Sequence, residues 1–132
     1  MNKVVTRAII LVNGKILLGK RAGGRGAGQY ALVGGKPEGK ESPEDTIVRE
    51  VHEELGILLK NVKPWKTILG KESFPGEVWD AYFFYGEGEG PLNLKKNEIL
   101  DVIYVGKNDL SKYDIAFDHK SILEEFFDEA IS

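Results

Sequence analysis

The chain contains no cysteine and a single methionine. Disulfides, thiolate nucleophiles and cysteine-ligated metal are therefore excluded, and the composition suits a cytoplasmic protein. No apolar run approaches the roughly 20 residues that span a bilayer. The apolar stretch near the N-terminus is interrupted by Arg7, ends at Asn13-Gly14 and is followed by no secretory cleavage pattern, so it reads as a strand and not as a targeting segment. A strong excess of one charge is also missing. With 18 basic against 21 acidic residues the net charge is −3, which argues against broad affinity for nucleic acid. There is no internal repeat, low-complexity tract or linker, so residues 1–132 are expected to form one domain with a real hydrophobic core.

What the chain does have is a concentration of acid on one predicted helix. Ser42 is a natural N-cap, Pro43 suits the first helical position, and Glu44 and Asp45 meet the positive end of the dipole. Gly56 is suited to a left-handed C′ position, so helix is predicted over Pro43 to Leu55. Glu50, Glu53 and Glu54 lie at i, i+3 and i+4 and share an arc of roughly 100°. Val48, Val51 and Leu55 lie about 140° away on the same wheel. Crowded like charges repel on a bare helix. A divalent cation reverses that sign, and hard ions such as Mg²⁺ take carboxylate oxygens together with substrate phosphates.

The order Gly35, Glu41, Arg49-Glu50, Val51, Glu53-Glu54, Gly56, Ile57 matches every fixed position of the Nudix box over residues 35–57. The chain thus resembles the Nudix hydrolases, MutT-type members among them. That resemblance implies an α/β fold, an α/β/α sandwich with a mixed β-sheet between helices. It further implies cleavage of a nucleoside diphosphate linked to another moiety, with Mg²⁺ or Mn²⁺. By the same resemblance Glu50, Glu53 and Glu54 are the metal ligands with the Gly35 carbonyl, Arg49 orients a carboxylate, and Glu41 steadies the loop before the helix. Glu98, with Asp101 in reserve, is the candidate for a further acidic group outside the box, as metal ligand or as base. Glu53, Glu54, Glu98 and Arg49 form the expected catalytic set. Homodimers are common in the family and are expected as an option.

Around the box, strands are predicted over Val4 to Val12 and Lys15 to Lys20, joined by a type I′ turn at Asn13-Gly14. Further strands are expected at Tyr30 to Val33, Val62 to Leu69, Val78 to Tyr85 and Glu98 to Val105, with Ile57 to Leu59 extended and a loop around Phe74-Pro75-Gly76. A last helix opens at Asp118, with Phe117 and Ile122 placed as a hydrophobic staple and Ile122, Leu123, Phe126 and Phe127 as its apolar stripe.

In the glycine-rich RAGGRGAGQY segment, Arg21 and Arg25 are candidates to hold substrate phosphates, since Arg grips phosphate oxygens bidentately. The alternative is a mobile loop, and the glycine spacing does not fit a dinucleotide fingerprint. Tyr30, Trp79 and Tyr82 are candidates to stack on a base, set against an ordinary core role. His52 is expected to be structural or exposed, and His119 to be exposed or capping. The segment AFDHKSIL weakly resembles one found near the end of some ADP-ribose pyrophosphatases.

The small size favours a nucleoside or deoxynucleoside triphosphate, oxidised or otherwise modified forms included, cut to a monophosphate and pyrophosphate. ADP-ribose or a nucleotide sugar is the second expectation. The signatures of the coenzyme A and NADH versions are not reproduced. From another class comes a non-catalytic nucleotide sensor, but such modules often lose box glutamates and none is lost here. A purely structural acidic domain would bind no Mg²⁺.

Overall fold

The computed structural model describes residues 2–131. Its centre is a mixed sheet whose first strand, β1 (Lys3–Val12), turns at Asn13-Gly14 into β2 (Lys15–Arg21). Both turn residues have positive φ, 50° and 77°, as a type I′ turn requires. Two short strands follow, β3 (Tyr30–Ala31) and β4 (Val33–Gly35), then helix α1 (Pro43–Leu55). The long hairpin of β5 (Leu58–Phe74) and β6 (Glu77–Glu89) leads to β7 (Ile99–Val105), a 3₁₀ turn (Lys107–Lys112) and helix α2 (His119–Ile131). The strand order is β3-β2-β1-β6-β5, with β4 also paired to β1 and β7 to β2. Among the named strands of the described residues β1 and β6 pair in parallel and the other pairs antiparallel, so the sheet is mixed.

Alternation along the strands divides the core in two. Ala8, Ile10, Val33 and Phe84 pack with Ile47, Val51 and Leu55 of α1. Ile9, Leu18, Ala81 and Phe83 pack on the opposite side with Ile122, Leu123 and Phe126 of α2. This is the expected sandwich, a mixed sheet with a helix on each face.

Several predicted elements are redrawn. The strand expected over Tyr30 to Val33 divides at Leu32, because Tyr30 and Ala31 pair with β2 while Val33 pairs with Ala8 of β1. The extended segment Ile57 to Leu59 and the strand Val62 to Leu69 merge into one 17-residue strand. Its register against β6 shifts between Lys60 and Lys63 and again between Pro64 and Lys66. Such bulges accommodate Pro64, which cannot donate to a regular ladder, and they interrupt the alternation a sequence reading depends on. The loop expected around Phe74-Pro75-Gly76 is a tight turn at Pro75-Gly76 alone.

Candidate functional site

Helix α1 begins as expected: the Ser42 hydroxyl accepts from Asp45 N at 3.1 Å, Pro43 opens the helix, and Gly56 closes it in the left-handed region. The loop before it is tied down by Glu41. One Glu41 oxygen accepts from Arg49 Nε at 2.8 Å and the other from an Arg49 terminal nitrogen at 2.9 Å, a two-pronged grip. Thr46 Oγ1 and Glu38 N donate to the same carboxylate. These contacts, the Arg49 hydrogen bond foremost, lower the Glu41 pKa to about 2.

Arg49 reaches further. Its Nη1 donates to Glu50 and to Glu53, at 3.0 Å in each case, and its Nη2 donates to the Lys36 carbonyl at 3.1 Å. One guanidinium therefore binds the loop, the helix start and two of the three box glutamates. The second oxygens of Glu50 and Glu53 lie outside these bonds. Among the described residues no three acidic or histidine side chains converge into a ready-made metal cage. A cation would have to complete the arrangement by drawing the carboxylates together.

Glu54 is where such completion is needed. It was expected on an outward acidic face, but it is only 7% exposed. Its Oε2 is buried with no hydrogen-bond partner among the described residues. Its pKa is pushed up to about 8, first by burial, then by the nearby Glu98 carboxyl and the Glu50 charge, with Arg7 pulling the other way. Glu50 is also raised, chiefly by burial and against the pull of Arg49. Buried carboxylates are normally paired or metal-bound. The donor set is all oxygen, as a hard divalent ion prefers.

Gly35 is placed beside this group by sterics. A Cβ there would stand 2.4 Å from the Glu50 carboxyl carbon. Its neighbour Gly34 lies so close to β1 that a Cβ would meet the Thr6 carbonyl oxygen at 1.9 Å. The Gly35 carbonyl accepts from the Thr6 hydroxyl at 2.9 Å, which fixes its direction and leaves a second lone pair.

Outside the helix, the structure brings some expected residues together and separates others. Glu98, just before β7, stands near enough to Glu54 and Glu50 to raise both. It is itself exposed, 3.6 Å from Lys95. Asp101 is exposed, with its carboxylate accepting from Val102 N, and among the described residues no bond ties it to the glutamates. Tyr82 packs against the α1-side core. Trp79 lies beneath the ammonium groups of Lys3 and Lys36, 5.3 and 5.0 Å from its centroid. With Lys3, Val4, Lys36 and Pro37 it lines a depression of about 390 Å³ next to the Gly35 loop. Tyr30 meets Tyr113 edge-on at 5.6 Å and packs against the α2-side core. Arg25 is exposed and forms a 2.6 Å ion pair with Glu77, while its carbonyl accepts from Arg21 Nε at 2.7 Å.

His52 is exposed, as expected. His119 is not: it is 3% exposed, and its Nδ1 accepts from Leu32 N at 3.1 Å. Burial, then the charges of Arg7, Lys71 and Arg21, hold its pKa well below the usual histidine range. A neutral ring is what a backbone N–H acceptor must be. The staple expected of Phe117 is replaced by another role. Phe117 is 47% exposed at φ 59°, its ring against His119 and close to the Arg7 and Arg21 guanidinium groups. Sequence reasoning missed Arg7, whose signal was a charge in the middle of a largely apolar strand.

Comparison with known proteins bears on this geometry. A family model described as the NUDIX domain matches residues 1–126. An ADP-ribose pyrophosphatase of Methanocaldococcus jannaschii is 34% identical, over 93% of this chain and 72% of its own length. The nucleoside triphosphatase NudI of Escherichia coli is 32% identical, over 86% of this chain and 88% of its own. A crystal structure of a MutT NUDIX hydrolase from Burkholderia pseudomallei superposes with a TM-score of 0.82 at 27% identity, covering 94% of this chain and 97% of that one.

Proposed function

The chain belongs to the NUDIX domain family and is a hydrolase of phosphoanhydride bonds, and we propose that it cuts a nucleoside or deoxynucleoside triphosphate, modified forms included, to a monophosphate and pyrophosphate. The observation that carries metal-assisted hydrolysis is Glu54, a buried carboxyl group beside Glu50 and Glu98 with one oxygen unpartnered among the described residues. Glu50, Glu53 and Glu54, with the Gly35 carbonyl, would hold Mg²⁺, for which Mn²⁺ could substitute. When bound, such an ion neutralises phosphate oxygens and makes water a better nucleophile.

The chain's own residues do the rest. Arg49 fixes Glu50 and Glu53 relative to the loop, so that substrate meets carboxylates already oriented. Glu98, exposed and next to Glu54, is placed to accept the proton of an attacking water. Arg21, beside the glycine-rich loop, supplies a phosphate contact. Trp79, Tyr30 and Arg25 are the remaining candidates for holding the nucleotide, Trp79 from the depression beside Lys36.

The triphosphate reading is supported by the NudI relative, which this chain matches over most of its length. ADP-ribose, giving AMP and ribose 5-phosphate, is the second reading, favoured by the archaeal relative. A product-resolved assay with Mg²⁺ or Mn²⁺ on deoxynucleoside triphosphates, oxidised forms, ADP-ribose and nucleotide sugars tests both. Pyrophosphate released from a triphosphate supports the first reading. Turnover of ADP-ribose alone replaces it with the second, and no turnover of any of them overturns both.

A further inference from the structure

An ionised side chain taken out of water without a partner is costly, and native chains rarely keep one without a use for it. Arg7 is such a side chain. Strand alternation places it with Val5 and Ile9 on the α2 face, where it is half-buried. Its guanidinium makes no hydrogen bond or ion pair with any described residue; its contact is the Phe117 ring, 5.7 Å from centroid to guanidinium carbon. A second guanidinium, that of Arg21, lies 5.0 Å from the same ring. Arg21 gives its Nε to the Arg25 carbonyl, and its terminal nitrogens bond to no described residue.

The fold holds this pair in place. Arg21 sits where the β2–β7 register shifts, a bulge of the kind that re-aims a side chain. Gly26 lets the glycine-rich loop close over it: a Cβ there would stand 3.3 Å from Arg21 Cδ and 3.0 Å from the Ala116 side chain. Phe117 is presented by a segment clamped to β3. Tyr30 N donates to Asp114 O at 2.9 Å, Ala116 N donates to Tyr30 O at 2.8 Å, and buried His119 accepts from Leu32 N. Two like charges on one ring repel, and the ring's quadrupole offsets only part of that. The nearest opposite charges, Glu54 and Glu50, act on Arg7 without bonding to it.

We propose that Arg7 and Arg21, spaced by Phe117, form an anion subsite that takes phosphate oxygens of the nucleoside diphosphate substrate. The inference rests on the hydrolase reading above and adds Arg7 and Phe117 to it. Guanidinium forks match phosphate oxygens two at a time, which satisfies donors that the free protein leaves unused. Arg7 acts here as a binding residue and moves no proton. Phe117 positions the two arginines.

The competing account makes Arg7 a structural cation that offsets the glutamates. Arg7→Met separates the two, because it keeps the packing and removes the charge. ADP and inorganic pyrophosphate are titrated in EDTA into the full chain, and KM is measured with Mg²⁺ on the substrate that the wild type turns over. The expected result for Arg7→Met is a loss of metal-free ADP affinity of about ten- to a hundredfold, the scale of losing charged hydrogen bonds. KM should rise in parallel, with Tm unchanged or raised. Arg7→Lys should recover part of the affinity, since it restores charge without the fork, and Phe117→Leu should weaken ADP binding less than Arg7→Met does. The subsite is overturned if the wild type binds no ADP in EDTA, if Arg7→Met keeps wild-type affinity and KM, or if its Tm falls. A wild type that binds ADP through Arg7 yet hydrolyses no phosphoanhydride would instead overturn the hydrolase reading and leave the subsite standing.

Discussion

Two sets of charges in this molecule are treated in opposite ways. Around Arg49 every charge has its counterpart: Glu41 takes two of its N–H groups, and Glu50 and Glu53 share a third nitrogen. Glu54 Oε2, buried, and the Arg7 guanidinium, half-buried, have no hydrogen-bond partner among the described residues. The first set fixes a loop on a helix and is complete in the free protein. The second is incomplete, and each member lacks what a metal–phosphate substrate supplies: a cation for Glu54, an anion for Arg7. Satisfied charges here build the frame, and the unsatisfied ones are those we propose for metal and phosphate.

The comparison can be broken most sharply at Glu54. Glu54→Gln keeps the shape and removes the charge, so turnover should fall by at least about a hundredfold, the scale of disabling a metal-site group. The metal-free variant should nevertheless melt higher than the wild type at neutral pH, because wild-type Glu54 must take up a proton on folding and Gln need not. Near-normal kcat at saturating Mg²⁺ would refute the role given to Glu54. Arg49→Lys attacks the satisfied set and should behave differently. It keeps a charge but loses the fork that spans Glu41 and the helix, so thermal stability and kcat/KM should fall together. Loss of either one alone would contradict the frame assigned to Arg49.

A pH titration of metal-free stability sharpens the contrast. The folded state holds the Glu54 proton up to about pH 8, whereas an unfolded glutamate releases it near pH 4.3. The folded chain therefore binds more protons across that window, and this group makes stability fall as pH rises through it. His119 has the opposite sign. Its folded pKa is depressed by burial, so its contribution is present above about pH 6.5 and is lost as pH falls. Chemical denaturation across pH should show the first slope flattened by Glu54→Gln and the second by His119→Gln. The smallest effect is expected at Arg25, whose charge is already taken by Glu77 at 2.6 Å. Arg25→Ala should raise KM less than Arg21→Ala does, and a larger rise would move Arg25 to the phosphates.

How much of this was legible in the sequence depended on distance along the chain. Helix α1 and its caps lie within one continuous segment and follow from local spacing and cap chemistry, whereas the Glu41–Arg49 pairing appears only in the folded chain. The burial of Glu54 does not, because the helical wheel shows which side a residue faces but not how deeply a neighbouring strand and loop cover it. Arg7 and Arg21 lie on the N-terminal hairpin, and Phe117 and His119, from the other end of the chain, are held there by the β3 clamp. No periodicity in one sequence joins them. The long β5 was hidden by its own bulges at Asn61 and Pro64, which break the alternation that identifies a strand.

The most direct test of the incomplete-charge account is calorimetric titration of Mn²⁺ into the metal-free wild type and into Glu54→Gln at one pH. The account predicts a saturable site in the wild type that is weakened at least about tenfold in the variant, in line with the loss of a metal-site group. Equal Mn²⁺ affinity in the two proteins, or none in the wild type, would contradict it.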